Sequence, residues 1–544
     1  MRERLIEDWL AKIGERGFEV PFSQVLVTKG HKVLRMGHSP IEHGKDIITR
    51  DPKDRLHAYQ LKQGSVGLKE WEKIRPQVVA LVESGIDHPN VGNERFQPWL
   101  VVSGEFSAPA LSRISADNLT WKRRGVPTLK VIAGRELLAD FSALSTDFWP
   151  AELPEIKAFI SLYQNTGAAF IDKAAYSTFC LGLLNGGGRV KAEVARRISS
   201  LNIFASYLLS NAYAAENHWA VVEGWTVVSS HIAWIAAKHR LPKKSWLPSF
   251  ELAQSAAMSA LEKIKNEALA ENALNPRTLE WDEITRVRST FAVGAVAAWF
   301  LAKGIDANMD ESARAATFVR RLVAERRTLI WGESAMPLLV AAVLFLSNSS
   351  GDRLDEGLLL SLIRALATAN GRRSRQGLSD PYEDADAVLV RLLRRLQKPG
   401  PQPRTHTGRA YTLEGLVLLA ARRLLKDPLD AQWAAITYVD FIKFIPSRLD
   451  DFLLWKVDEG SLDSRQPGRP QSWSKLLAAA RSKHYRHNLP AAVLRYPRFA
   501  LLLALVFPQR LTTDMMLFLD DTFRLRFGVS VEQRDDSQPE GSMD

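Results

Sequence analysis

Three side chains in one short stretch carry the chemistry this sequence can do: Asp46, Gln60 and Lys62. Asp46 opens a strand-like run, Asp46–Arg50. Gln60 and Lys62 lie two apart on a second run, Leu56–Lys62, and a polar turn of Asp51, Pro52, Lys53 and Asp54 joins the two. Side chains alternate across a strand, so Gln60 and Lys62 share one face while His57, Tyr59 and Leu61 take the other. If the two runs pair as a hairpin, Asp46 lies close to both. A carboxylate, an amide oxygen and an ammonium gathered at the end of a sheet suit phosphodiester hydrolysis. A hard cation, Mg²⁺ or alternatively Mn²⁺, takes oxygen ligands, and Asp46 and the Gln60 side-chain carbonyl supply two. Mg²⁺ keeps several waters, one of which becomes the nucleophile. Lys62 would orient that water and offset charge growing on the phosphate. The bland alternative is a surface hairpin in which Asp46 caps a turn and Lys62 is solvated.

Such a trio needs a frame, and the first ~145 residues mix strand-like runs with helical ones. Arg2–Arg16 has helical period, with Leu5, Ile6, Trp9, Leu10 and Ile13 on one face and Gly17 placed to end it. Leu68–Ser84 reads as a helix, Pro98–Val102 as a strand, Ala108–Arg123 as a helix, Pro127–Ile132 as a strand and Glu136–Ser142 as a helix. Alternating strands and helices imply a mixed α/β sheet.

Gly44-Lys45-Asp46-Ile47-Ile48, a turn, and Tyr59-Gln60-Leu61-Lys62 resemble the PD-(D/E)XK nuclease superfamily, and the glutamine is similar to that of Mrr-type restriction endonucleases. The order of the later elements agrees with this: Trp99-Leu100-Val101-Val102, a helix, Leu129-Lys130-Val131-Ile132, and a helix with Leu137 and Leu138. The resemblance covers about a quarter of the chain. It implies a restriction-endonuclease-like α/β domain, a metal-dependent endonuclease activity, Mg²⁺ or Mn²⁺ as cofactor, and DNA as substrate, with RNA left open. It also implies a restriction or anti-phage role for a nuclease joined to a larger module. The family usually adds a carboxylate from its first helix. Here Glu7 and Glu15 are candidates, and Glu42, four residues before Asp46, is weighted slightly above Glu7. The catalytic set is thus Asp46, Gln60, Lys62 and Glu42, with Asp46, Gln60 and Glu42 at the metal.

The 544 residues contain 46% hydrophobic residues, 15 Trp and 23 Phe, which excludes general disorder. One cysteine, Cys180, excludes a disulfide framework and any cysteine-based zinc finger, and fits a reducing, cytoplasmic setting. A net charge of +11 favours polyanion partners. Lys122, Arg123 and Arg124 follow Trp121 at a helix end and form a candidate phosphate-backbone contact; they equally suit the helix dipole. Lys69, Lys73 and Arg75 could extend that track. His38 and His43 flank the motif without a third ligand, so they make no zinc site.

From Pro150 to about Phe527 long helical periods dominate, which predicts a large all-α array without a fixed repeat. The expected division is residues 1–148 for the nuclease-like domain and 149–527 for the helical part, subdivided near 398–408, with a disordered tail at 528–544. Basic clusters at Arg320/Arg321/Arg326/Arg327, Arg372/Arg373/Arg375, Arg391/Arg394/Arg395/Lys398 and Arg422/Arg423/Lys426 make either a duplex-binding groove or solvated faces with local ion pairs. The helical part could also mediate homo-oligomer or partner-protein contact. The apolar runs Phe291–Leu301 and Ala335–Leu346 fall short of the ~20 residues that span a bilayer, so no membrane association is expected. No Walker A or HExxH motif is present, and Gly332-Glu333-Ser334-Ala335-Met336 lacks the second glycine of a nucleophile elbow. A catalytically inactive nuclease fold that binds nucleic acid or a partner protein is the alternative.

Overall fold

In the computed structural model, β2 (Ile47–Arg50) and β3 (Leu56–Lys62) form the expected hairpin, with Ile47 opposite Tyr59 and Arg50 opposite Leu56. The described residues are 2–36, 44–86, 91, 94–145, 153–163, 167–185, 191–270, 274, 283–304, 309–349, 354–371, 380–387, 390, 408–457, 459–468 and 472–526. They fall into two compact units, 1–260 with 453–456, and 261–452 with 457–544.

The first unit is built on a five-stranded sheet in chain order: β1 (Lys32–Met36), β2, β3, β4 (Phe96–Val102) and β5 (Lys130–Ile132). The first three strands are antiparallel and the last three parallel. The helices α3 (Leu68–Glu83) and α4 (Ala108–Arg123) supply the crossovers that parallel pairing requires. Their apolar faces bury Trp71, Val78, Leu81, Ile114 and Trp121 against Ile48, Leu56, Ala58, Leu100 and Val102. The opposite face carries α1 (Arg2–Lys12), α2 (Glu15–Thr28) and α5 (Gly134–Ser145). There Phe22 meets Tyr59 edge-on at 5.4 Å, and Trp9 meets Phe141 at 5.2 Å.

The N-terminal helix expected over Arg2–Arg16 is in fact two. The chain turns extended at Gly14, and Gly17 lies inside α2, where an added Cβ would stand 3.0 Å from the Ile13 side chain. The break lets Trp9 and Ile13 of one segment and Phe18 and Phe22 of the next all reach the interior. The helices Lys191–Leu208 and His218–Lys238 also belong to this unit. Buried Asn202 Nδ2 donates to Gln24 Oε1 of α2 at 2.8 Å, and Trp9 packs on Tyr207 at 4.4 Å. The expected division at 148 therefore falls inside a unit whose contacts continue to residue 260. Among the described residues, His218–Lys238 is long and apolar enough to cross a membrane, but 94% of that window is buried inside the protein.

The second unit is largely helical rather than all-helical. It holds a small sheet of β6 (Arg409–Ala410), β7 (Asp440–Pro446) and β8 (Gly460–Arg465). The helical period continues through Phe444, but the helix Lys426–Ile436 ends at Ile436, and Asp440–Pro446 becomes a strand parallel to β6 and antiparallel to β8. Phe441 and Ile442 are buried from that strand, so tertiary packing outweighs the helical period. The candidate subdivision at 398–408 lies outside the described residues except for Gly408, and 528–544 lies wholly outside them.

Candidate active site

The hairpin places Asp46 one residue ahead of β2 and level with the end of β3. Its backbone N–H donates to Tyr59 O at 2.9 Å. Its carboxylate Oδ2 accepts from Leu61 N at 2.7 Å, the amide between Gln60 and Lys62. The carboxylate is thus anchored at the centre of the Gln-x-Lys sequence, and Asp46 and Gln60 are both buried. Replacing Asp46 with a residue that cannot accept would leave a buried N–H unpaired, at a cost of about 1–3 kcal/mol.

Gln60 points to the α3 side of the sheet. Its Nε2 donates to Gln77 Oε1 of α3 at 3.3 Å, while its Oε1 is buried and accepts no hydrogen bond. Gly44 lies against this pair at φ +76°, and a Cβ there would sit 3.1 Å from Gln60 Nε2 and 3.0 Å from Gln77 O. A larger residue would meet both the strained backbone and this contact.

Lys62 ends β3, and its ammonium reaches both Glu15 carboxylate oxygens at 3.2 and 3.1 Å. Glu15 opens α2, where a carboxylate also complements the helix dipole. Of the two candidate helix carboxylates, Glu15 is the one that meets Lys62. Glu7 is exposed on α1, and Glu42, like His38 and His43, lies outside the described residues. The pairing of Glu15 is invisible in sequence, because Lys62 is 47 positions away and the helix that presents Glu15 contains Gly17 and Pro21.

Nothing in the sequence position of Lys45 marks it out. Its side chain is buried, and its Nζ has no hydrogen-bond partner and stands 5.5 Å from the Phe96 ring centre. Burial pushes its pKa down to about 8. His57 packs on the back of β3 as expected: Trp99 Nε1 donates to His57 Nδ1 at 3.1 Å, and His57 Nε2 lies 3.3 Å from Asp51 Oδ2.

The donor set fits a hard divalent cation in one respect: a buried amide oxygen without a partner lies on the strand whose backbone anchors a buried carboxylate. Among the described residues no group of three or more His, Cys, Asp or Glu could hold a metal. Asp46 and Gln60 would therefore need water and substrate oxygens to complete a coordination shell.

The basic residues divide sharply. Lys122 and Arg123 are exposed, whereas Arg124 pairs with Glu83 at 2.7 Å and Trp121 Nε1 donates to the same carboxylate. Lys73 pairs with Glu70 and Arg75 with Asp117, both at 2.9 Å, while Lys69 is exposed on the first turn of α3. Arg422 and Arg423 are not on a groove: both are buried against Asp520, with Asp521 and Asp355 beside them. The clusters at Arg372/Arg373/Arg375 and Arg391/Arg394/Arg395/Lys398 lie outside the described residues. Cys180 is buried among apolar neighbours, which pushes its thiol up and away from reactivity. Ser334 accepts from Trp331 Nε1 and donates to Glu383 O, a structural role.

Comparison with protein-family models, with curated proteins and with solved structures gives no match for this chain.

Proposed function

We propose that the first unit is a metal-dependent nuclease of the PD-(D/E)XK type that hydrolyses phosphodiester bonds, with DNA as the preferred substrate. The observation that carries this reading is the anchoring of Asp46 on the Leu61 amide, between Gln60 with its open oxygen and Lys62 with its fixed charge. The strand order adds support, since three antiparallel strands followed by two parallel crossovers make the mixed sheet that the sequence resemblance implies.

Asp46 and Gln60 Oε1 would hold Mg²⁺ or Mn²⁺. Bound there, the cation would supply positive charge to the phosphoryl oxygens and acidify water. Asp46 keeps its carboxylate in place through the Leu61 N–H. Lys62, held by Glu15, is a positioned ammonium that stabilises charge growing on the phosphate. Hydrolysis forms a phosphorus–oxygen bond to water and breaks the one to the leaving sugar oxygen, which takes up a proton. Exposed Lys122 and Arg123 would contact the backbone of the nucleic acid.

The test is cleavage of plasmid DNA and of RNA with Mg²⁺ or Mn²⁺ by wild type, Asp46→Asn and Lys62→Met, with folding followed by circular dichroism. Each variant is expected to lose at least about a hundredfold in rate. Equal cleavage by all three proteins would assign the activity to another site or a contaminant.

A further inference from the structure

A glutamine is an ambiguous metal ligand. Its oxygen and nitrogen ends are nearly the same size, and only one of them can face a cation. Whatever fixes the amide rotation therefore decides whether the site exists. In this protein the candidate for that task is on α3. Gln60 Nε2 donates to Gln77 Oε1 at 3.3 Å, so the nitrogen end faces the helix and the buried oxygen end is left without a partner. Gly44 leaves space for this rotamer, because any Cβ there would press on Gln60 Nε2 and on the Gln77 carbonyl. No other hydrogen bond holds the Gln60 side chain among the described residues.

We infer that Gln77 is a positioning residue that aims Gln60 Oε1 at a divalent cation, a step that rests on the nuclease reading above. A pair of glutamines has two hydrogen-bonded states. In one, Gln60 donates and its oxygen is open. In the other, both amides turn, Gln77 donates, and the Gln60 oxygen is occupied. Cation binding at Gln60 requires the first state, and the apparent affinity scales with its population. An acceptor at position 77 favours cation binding; a donor at 77 opposes it. Gln77 is itself exposed on α3, so it can be changed with little effect on the core.

The experiment measures Mn²⁺ binding to the full chain by electron paramagnetic resonance of the free ion. Gln77→Glu accepts only, and Gln77→Lys donates only. The lysine variant is expected to bind Mn²⁺ at least about tenfold more weakly than the glutamate variant. Charge alone could produce part of that gap. Ala80→Glu and Ala80→Lys, three residues along the same helix, make the same charge steps at a position that holds no hydrogen bond to Gln60 in the native protein, and their gap is expected to stay within about threefold. Equal gaps at 77 and 80, or no gap at 77, would overturn the positioning role while leaving the nuclease reading standing. Mn²⁺ binding by wild type that Asp46→Asn does not weaken would instead remove the site itself, and the role of Gln77 with it.

Discussion

Two charged clusters, one in each unit, look alike in sequence and differ in what their polar atoms are doing. In the second unit Arg422 donates to Asp520 and Asp521 at 2.8 Å, and Arg423 bonds Asp520 at 3.3 Å and Ser347 at 3.0 Å. Tyr485 supplies Asp521 with a further donor at 2.7 Å. Charge is matched with charge, and the cluster acts as a staple between the helices Leu413–Arg422 and Thr513–Arg526. In the first unit Asp46 is anchored on the Leu61 N–H and Lys62 on Glu15, yet Gln60 Oε1 remains buried with no donor. A buried acceptor left open costs stability unless something else fills it. A cluster with unused bonding capacity is therefore a better candidate for function than one in which charges are mutually satisfied.

Removing charge from the staple gives the largest stability effect. Arg422→Met removes the 2.8 Å partner of Asp520, which is fully buried. A loss of about 3–5 kcal/mol is expected on chemical denaturation, with Mn²⁺ affinity unchanged. A variant as stable as wild type would erase the contrast between the clusters.

Lys45 runs the other way, because its ammonium is buried without a hydrogen-bond partner. Lys45→Met should raise stability at pH 7 by about 1–3 kcal/mol. The folded-state pKa of about 8 lies below the ordinary 10.5, so the native protein binds fewer protons than the unfolded chain between those values. Wild-type stability therefore rises over that window, and the advantage of the methionine shrinks. Denaturation curves at pH 7 and pH 10 check both the sign and the window.

The smallest effect belongs to the exposed basic residues. Lys122→Ala or Arg123→Ala should weaken DNA binding modestly and lower the salt-dependence slope by about one for each phosphate no longer neutralised. Titration of a labelled duplex at several salt concentrations reads this directly; unchanged slopes would take α4 out of the nucleic-acid surface.

The local parts of this site are readable in the sequence, and the long-range parts are hidden. Leu56–Lys62 and Ala108–Arg123 agree at both ends with β3 and α4, because strand alternation and helical period are local signals. The closeness of Asp46 to the Gln-x-Lys sequence follows from one tight turn. Glu15 can be named from the sequence but not chosen, since its meeting with Lys62 depends on how α2 packs across the sheet. The staple misleads for the same reason: Arg422 and Arg423 carry charge in the sequence, but Asp520, about 100 positions away, decides that they face inward. β7 hides inside a helical period because burial of Phe441 and Ile442 in a small sheet is a tertiary fact.

If the nuclease reading holds, Gln60 Oε1 and Asp46 are two ligands of one divalent cation. Anomalous diffraction from crystals soaked in Mn²⁺ addresses this without relying on activity. A single strong peak within bonding distance of both oxygens is expected, absent from Asp46→Asn crystals. A peak elsewhere, or a Gln60 oxygen found accepting a hydrogen bond with no ion beside it, would rule out the shared cation.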